Sequence, residues 1–185
     1  MKAVRKYGII LLTLFILHTG SAQKIKPYTG PMPVPSGRHL LFYLQRTIDV
    51  NTLIYEMNYK ANGQVDRAQP VKIYWIRYTD GEKTAPLSYA QNKFAYGIEF
   101  TALPGPEPIF KIQLVSYKKI DIYLKPGGEK GRYQAHLTLQ GKACVLSSLM
   151  VHITGGTYLK PSVSHIELRG KDLATGEWVS EKIRP

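Results

Sequence analysis

Turn signals punctuate this chain every roughly 8 to 14 residues, and between them apolar and polar side chains alternate with a period of two. That pattern is compatible with short, half-buried strands and with little else. "HLLFYLQRT" (39–47) is a mostly apolar run, and "TLIYEMNYK" (52–60) sets Leu53, Tyr55, Met57 and Tyr59 against Thr52, Ile54, Glu56, Asn58 and Lys60. The two read as a hairpin joined across "IDVN", and Asn62-Gly63 makes the next turn. "PVKIYWIRY" (70–78) is partly apolar on both faces, which suits a central strand, and Asp80-Gly81 closes it. "IEFTAL", "IFKIQLVSY", "KIDIYLK", "RYQAHLTLQ", "ACVLSSLMVHI", "SVSHIELRG" and "EWVSEKI" continue the series. Almost every connection is of hairpin length, so the pairing should be overwhelmingly antiparallel. The expectation is an all-β fold, a single-domain antiparallel β-barrel or β-sandwich of about nine strands with one short embedded helix.

That helix is the exception to the pattern. In "PLSYAQNKFAYGIEF" (86–100), Leu87, Ala90, Gln91 and Phe94 recur at helical spacing, with Thr84 as N-cap, Pro86 in the first turn and Gly97 as the stop. The spacing predicts a helix near residues 86–95 on the edge or mouth of the sheet. Lys93 is its only cation, which argues against a membrane-surface helix. The narrow apolar stripe suits a static plug held by Phe94 and Leu87, rather than a lid hinged at Gly81 and Gly97.

The first residues carry an address. Lys2, Arg5 and Lys6 precede an apolar run from Tyr7 to Leu17, and small residues follow up to Ala22. This reads as a secretory signal peptide over residues 1–22, its apolar core too short to serve as an anchor. The mature protein is expected to be exported, either periplasmic or secreted. "QKIKPYTGPMPVPSGR" then gives a proline-rich arm over residues 23–37, kept extended by its prolines, ahead of one domain over 38–185. Cleavage leaves 22 basic against 13 acidic residues, an excess of 9 positive charges with neutral histidine. Such a balance favours anionic partners: an anionic polysaccharide or a lipid headgroup. Nucleic acid is disfavoured, since an exported chain meets little of it and no recognition module is present.

Catalytic patterns are missing from the sequence. There is no nucleophile elbow, phosphate-cradling loop or dinucleotide fingerprint, and "PGGEKG" (126–131) opens no helix that could hold an anion. Asp80 and Glu82 lie in a turn, and Glu56 and Glu99 alternate outward, so no paired carboxylates stand in an apolar setting. Cys144, the one cysteine, sits among apolar residues and reads as a buried small hydrophobe. No cofactor is implied. His39, His136, His152 and His165 show no H-x-x-x-H spacing, so no metal site is read from them, although pairing of distant strands could bring histidines together. His136 and His165 fall on polar strand faces, and His152 reads as a hydrogen-bonded core or rim residue.

Aromatic residues offer more. Tyrosines recur in strands beside basic residues, and a flat ring with a polar tip suits stacking on sugars or extended chains. The candidate ligand-binding set is Tyr55, Tyr59, Tyr74, Trp75, Tyr78, Tyr96 and Arg77. The leading functional expectation is a non-catalytic exported binding module, its anionic or glycan-type ligand held at the concave face or mouth. The alternative is a structural or assembly component that contacts other cell-envelope proteins, and the third is a hydrolase with an unrecognised site.

"HLLFYLQRTIDVNTLIYEMNY", "PVKIYWIRYTDGEKTAPLSYAQNKFAYGIE" and "SHIELRGKDLATGEWVSEKI" together resemble an uncharacterised family of secreted bacterial domains, catalogued as a domain of unknown function (number 4833). The resemblance covers nearly all of residues 38–185. It implies a single exported domain and brings no activity, cofactor or catalytic residue with it.

Overall fold

A computed structural model describes residues 26–105, 107–127, 132–157 and 160–184. The segment read as a signal peptide (1–22), the first residues of the arm (23–25) and residues 128–131 of the "PGGEKG" loop lie outside the described residues. The strands are β1 (Leu40–Arg46), β2 (Asp49–Met57), β3 (Val71–Arg77), β4 (Lys83–Pro86), β5 (Ile98–Leu103), β6 (Ile109–Leu114), β7 (Tyr117–Pro126), β8 (Tyr133–Leu139), β9 (Lys142–Gly156), β10 (Pro161–Asp172) and β11 (Trp178–Ile183). One helical turn, α1 (Tyr89–Gln91), widens into a π-helical turn over Asn92–Tyr96.

All eleven strands belong to one sheet, curled into a half-barrel. Its order is β4-β3-β2-β1-β9-β8-β7-β6-β5, and β10 pairs with both β9 and β11. The long strand β9 is the junction. Its start pairs with β8, its middle with β1, and nearly its whole length with β10. That explains why "ACVLSSLMVHI" is apolar on both faces. The β1–β9 contact is parallel, the one departure from antiparallel pairing among the described strands. Thr47 fixes it: its backbone N–H donates to the Val151 carbonyl (3.1 Å), and its hydroxyl accepts from the Ile153 N–H (2.9 Å).

Turn chemistry sets the registers. Gln140 and Gly141, with φ of 49° and 76°, form the two-residue hairpin turn between β8 and β9. Gln140 tolerates that conformation because its backbone N–H donates to Glu181 Oε2 and its amide to the Ser180 carbonyl, both at 2.6 Å. Gly170 is required by proximity: a Cβ there would meet the Val145 carbonyl at 2.7 Å, where β10 slips register over β9. The described part of the proline arm lies along the sheet. The Tyr28 N–H donates to the Thr47 carbonyl (2.6 Å), the buried Gln45 amide donates to the Pro33 carbonyl (2.6 Å), and Pro35 is buried.

The half-barrel is filled, not hollow. Phe42, Tyr55, Phe110, Ile112, Leu124 and Leu168 are essentially without solvent contact. A void beside Leu149, Ile166 and Ile183 holds about 10 Å³, no more than a single water. Cys144 lies in the same core, and burial raises its thiol above the usual range.

The helix begins later than its spacing predicts. Thr84 and Pro86 are extended in β4, opposite Ile76 and Tyr74 of β3, and this edge strand is the one that the alternation did not reveal. Pro86 is tolerated there because an edge strand leaves one row of N–H groups unused. Ser88, not Thr84, is the N-cap. Its hydroxyl accepts from the Gln91 N–H (3.2 Å) while the Gln91 side chain accepts from the Ser88 N–H (3.0 Å). The later start and the wider π turn rotate the apolar stripe outward. Phe94 is 66% exposed and Tyr89 75% exposed, and Ala90 is exposed as well. Leu87 and Tyr96 instead pack against the core, so the plug is held by Leu87 and Tyr96 and not by Phe94. Accordingly, Phe94→Ala is expected to change stability by less than about 0.5 kcal/mol. A loss above about 2 kcal/mol in urea denaturation would restore Phe94 as an anchor.

Candidate binding site

The structure distributes the seven candidate residues over three places. Tyr55, Trp75 and Tyr96 converge beneath the helical turn. The Tyr55 hydroxyl donates to the Tyr96 carbonyl (2.8 Å), Trp75 Nε1 donates to Gln91 Oε1 (3.4 Å), and the Trp75 and Tyr96 rings meet edge to face at 5.3 Å. Arg46 completes the group. Its guanidinium lies 4.9 Å from the Trp75 ring centre, donates to the Tyr96 hydroxyl (3.0 Å) and pairs with Asp49 at 2.6 Å. Tyr55 and Trp75 are buried, so their rings stack on the core and leave no face for a ligand. Burial pushes the Tyr55 hydroxyl far above its ordinary range.

Tyr74, Arg77 and Tyr78 occupy the outer side and end of β3. Tyr74 neighbours Lys72 (5.2 Å), and its hydroxyl is pushed up to about 12, by burial first and then by a hydrogen bond with Glu56. Arg77 is exposed and faces Asp80 at 3.7 Å, and Tyr78 begins the short 3-10 turn that follows.

Tyr59 stands apart, beyond the far end of β2, and there the structure forms a groove of about 570 Å³ at the mouth of the half-barrel. Its walls are built locally. A tight turn brings the Gly63 N–H to the Lys60 carbonyl (2.9 Å) with Gly63 at φ 78°, and Tyr59 pairs with Val65 across it. Further along the loop, the Asp66 N–H donates to the Asn58 carbonyl (2.9 Å) and the Asn58 amide to the Gln69 carbonyl (2.9 Å), which holds the segment around Arg67. The opposite wall is Tyr133 at the start of β8, whose hydroxyl donates to the Pro108 carbonyl (2.6 Å). Burial raises the hydroxyls of both Tyr59 and Tyr133 above their usual value. Among the described residues the charged rim is Lys60 and Arg67 against Glu107, and neither cation has an ion-pair partner there.

A second groove, of about 600 Å³, runs along β7, β8 and β11, with Tyr123, Lys119, Lys125 and His136 in its walls. Its two lysines face two carboxylates, Asp121 and Glu181, so its charges balance. Lys111, at 2.7 Å, holds the Asp121 carboxyl below the ordinary range, and burial keeps His136 below the usual histidine value. Among the described residues, the mouth groove thus carries two cations against one carboxylate, with Tyr59 and Tyr133 in its walls, both packed in part against the core. It can stack on flat, apolar ring faces and offer cations to an anionic substituent. Metal-ligating side chains gather elsewhere, on β9 and β10, where His152, His165 and Glu167 bring one ligand atom each within 4.8 Å of the others.

Of the seven residues expected from the sequence, Tyr59 lines the mouth groove, and its other lining residues Tyr133, Lys60 and Arg67 were not among them. Tyr133 was legible as one of many strand tyrosines beside basic residues, with nothing to single it out, and the loop carrying Arg67 as a turn.

The fold defines the class: a filled β half-barrel, here with a groove lined by Tyr59, Tyr133, Lys60 and Arg67 at its mouth. Within that class the chain belongs to the family described as Domain of unknown function (DUF4833), whose model matches residues 42–182. No curated protein and no solved structure matches it. Among the described residues, no helix is long and apolar enough to cross a membrane.

Proposed function

We propose that this chain is a non-catalytic exported binding module that holds an anionic, glycan-type chain in its mouth groove. The observation that carries the reading is that Tyr59 and Tyr133 line one groove whose described rim has two cations and one carboxylate. Sugar rings stack on phenol faces, and carboxylate or sulfate substituents meet Lys60 and Arg67. The packed interior supports a surface groove over an internal pocket, because a void of about 10 Å³ admits no ligand.

The test is an array of neutral and acidic glycans with anionic vesicles as a separate arm, followed by calorimetric titration of the hits. Acidic glycans should bind, with affinity falling as salt is raised. Tyr59→Ala and Arg67→Ala should each weaken binding about tenfold or more, equivalent to roughly 1.4 kcal/mol. Tyr74→Ala and Arg77→Ala, away from the groove, should leave it unchanged. A silent array, or binding to vesicles alone, would overturn the reading.

A further inference from the structure

On the face of β9 and β10 opposite the core residues Leu149 and Leu168, two histidines separated by twelve residues become direct neighbours. His165 pairs with His152 across the strands, and Glu167, two residues further along β10, shares their face. The imidazole rings lie 4.0 Å apart and nearly parallel, at 13°. His152 Nε2 is 3.7 Å from Glu167 Oε2, too long for a hydrogen bond. Both Nε2 atoms are buried and have no hydrogen-bond partner. All three side chains are half-buried, with about a third of His152 and Glu167 reaching solvent.

Local backbone geometry orients the pair. The β9–β10 register slips once on each side of Val163, so Thr154 on β9 and Ser164 on β10 are extra residues in opposed bulges. The bulge places the Ser164 hydroxyl within reach of the His152 backbone carbonyl and the His165 ring. It donates its one proton to the His152 carbonyl (3.2 Å) and lies 3.0 Å from His165 Nδ1. When that proton goes to the carbonyl, the hydroxyl oxygen is left to accept from His165 Nδ1–H. The tautomer this selects leaves His165 Nε2 with a bare lone pair, as in histidine ligands fixed by an outer hydrogen bond.

We propose that His152 and His165, through their Nε2 atoms, and Glu167, through a carboxylate oxygen, bind one divalent ion of the zinc class. Two imidazoles and one carboxylate are a recognised set for such an ion, with the fourth position left to water or another ligand. Donors around a tetrahedral zinc lie about 3.3 Å apart, so the 3.7 Å between His152 and Glu167 closes by less than half an ångström, and separations of up to 4.8 Å within the trio by about 1.5 Å. The rings must splay from their parallel stack for their lone pairs to converge, and their partial exposure leaves room for it. Ser164 acts as a positioning residue. His136 shows why an orphan nitrogen does not suffice: its Nε2 is also unpartnered, yet no second and third ligand join it among the described residues.

The experiment is calorimetric titration of the tag-free protein with zinc chloride, together with the ring nitrogen shifts of its histidines by NMR. One ion should bind per chain, and the Nε2 shifts of His152 and His165 should move while those of His39 and His136 stay. The double substitution of His152→Gln with His165→Gln should abolish binding, Glu167→Gln should weaken it at least tenfold, and Ser164→Ala about tenfold. The groove variants Tyr59→Ala and Arg67→Ala should bind zinc like the parent, so this site and the glycan groove stand or fall separately. Absence of saturable binding, unmoved Nε2 shifts, or full binding in the double variant would overturn the assignment. The shifts are read on the unsubstituted protein, so they decide even if a variant fails to fold.

Discussion

Tyr55→Ala is expected to destabilise the protein by about 3–5 kcal/mol, the range for losing a buried aromatic side chain. Tyr55 has no solvent exposure, and its ring stacks on Phe42 at 4.4 Å with an 18° tilt. Its hydroxyl also holds the Tyr96 carbonyl at the end of the π turn. The substitution therefore opens a cavity on the inner face and leaves a carbonyl without its donor. Tyr55→Phe separates the two effects: it keeps the ring and removes only the bond, at an expected cost of about 1–3 kcal/mol. Because a domain of this kind has about 5–15 kcal/mol in total, the alanine variant should be largely unfolded at moderate urea. Urea denaturation followed by far-UV circular dichroism measures both. A cost below about 1 kcal/mol for Tyr55→Ala would mean that this part of the half-barrel is not packed around the ring.

Tyr55 also shows what the sequence can and cannot convey. Alternation groups Leu53, Tyr55 and Met57 on one face of β2, and that grouping is correct, but it does not say which face is inside. A tyrosine serves a half-wet surface or a core equally well, so Tyr55 and Trp75 looked like binding residues while their rings were committed to packing. Strand positions were legible because each depends on side chains within a few residues. The parallel β1–β9 contact was not, since it depends on Thr47 meeting a strand about a hundred residues later. β4 stayed hidden because Thr84 and Pro86 also satisfy the rules for a helix start, and only pairing with β3 decides between the two. The His152–His165 pairing lay further out of reach. Two opposed bulges, at Thr154 and Ser164, cancel in the overall register while setting the local one, and no periodicity in the sequence reports them. The mouth groove was half legible: Tyr59 ends an alternating run, but its partner Tyr133 is 74 residues away in sequence.

Gly97→Ala is expected to destabilise the protein by about 2–3 kcal/mol, through overlap and not through backbone conformation. The φ of −65° and ψ of 173° at Gly97 suit any residue. A methyl group there, however, would lie 1.9 Å from the Asn92 carbonyl oxygen and 2.9 Å from its carbon. Both are backbone atoms of the π turn, so no side-chain rotation relieves the clash, and either the turn or β5 must move. Neither is free to do so. The Gly97 carbonyl accepts from the Val115 N–H (2.9 Å), which ties the start of β5 to the β6–β7 turn, and the preceding carbonyl is held by Tyr55. From the other side, Gln91 is tied to Ser88 and to Trp75. The substitution should therefore lower the urea midpoint and raise hydrogen exchange across residues 88–97 while β9 and β10 keep their protection. If instead the midpoint stays put and only the exchange of residues 88–97 rises, the helical turn swings clear at no cost to the sheet, and the segment is a lid after all.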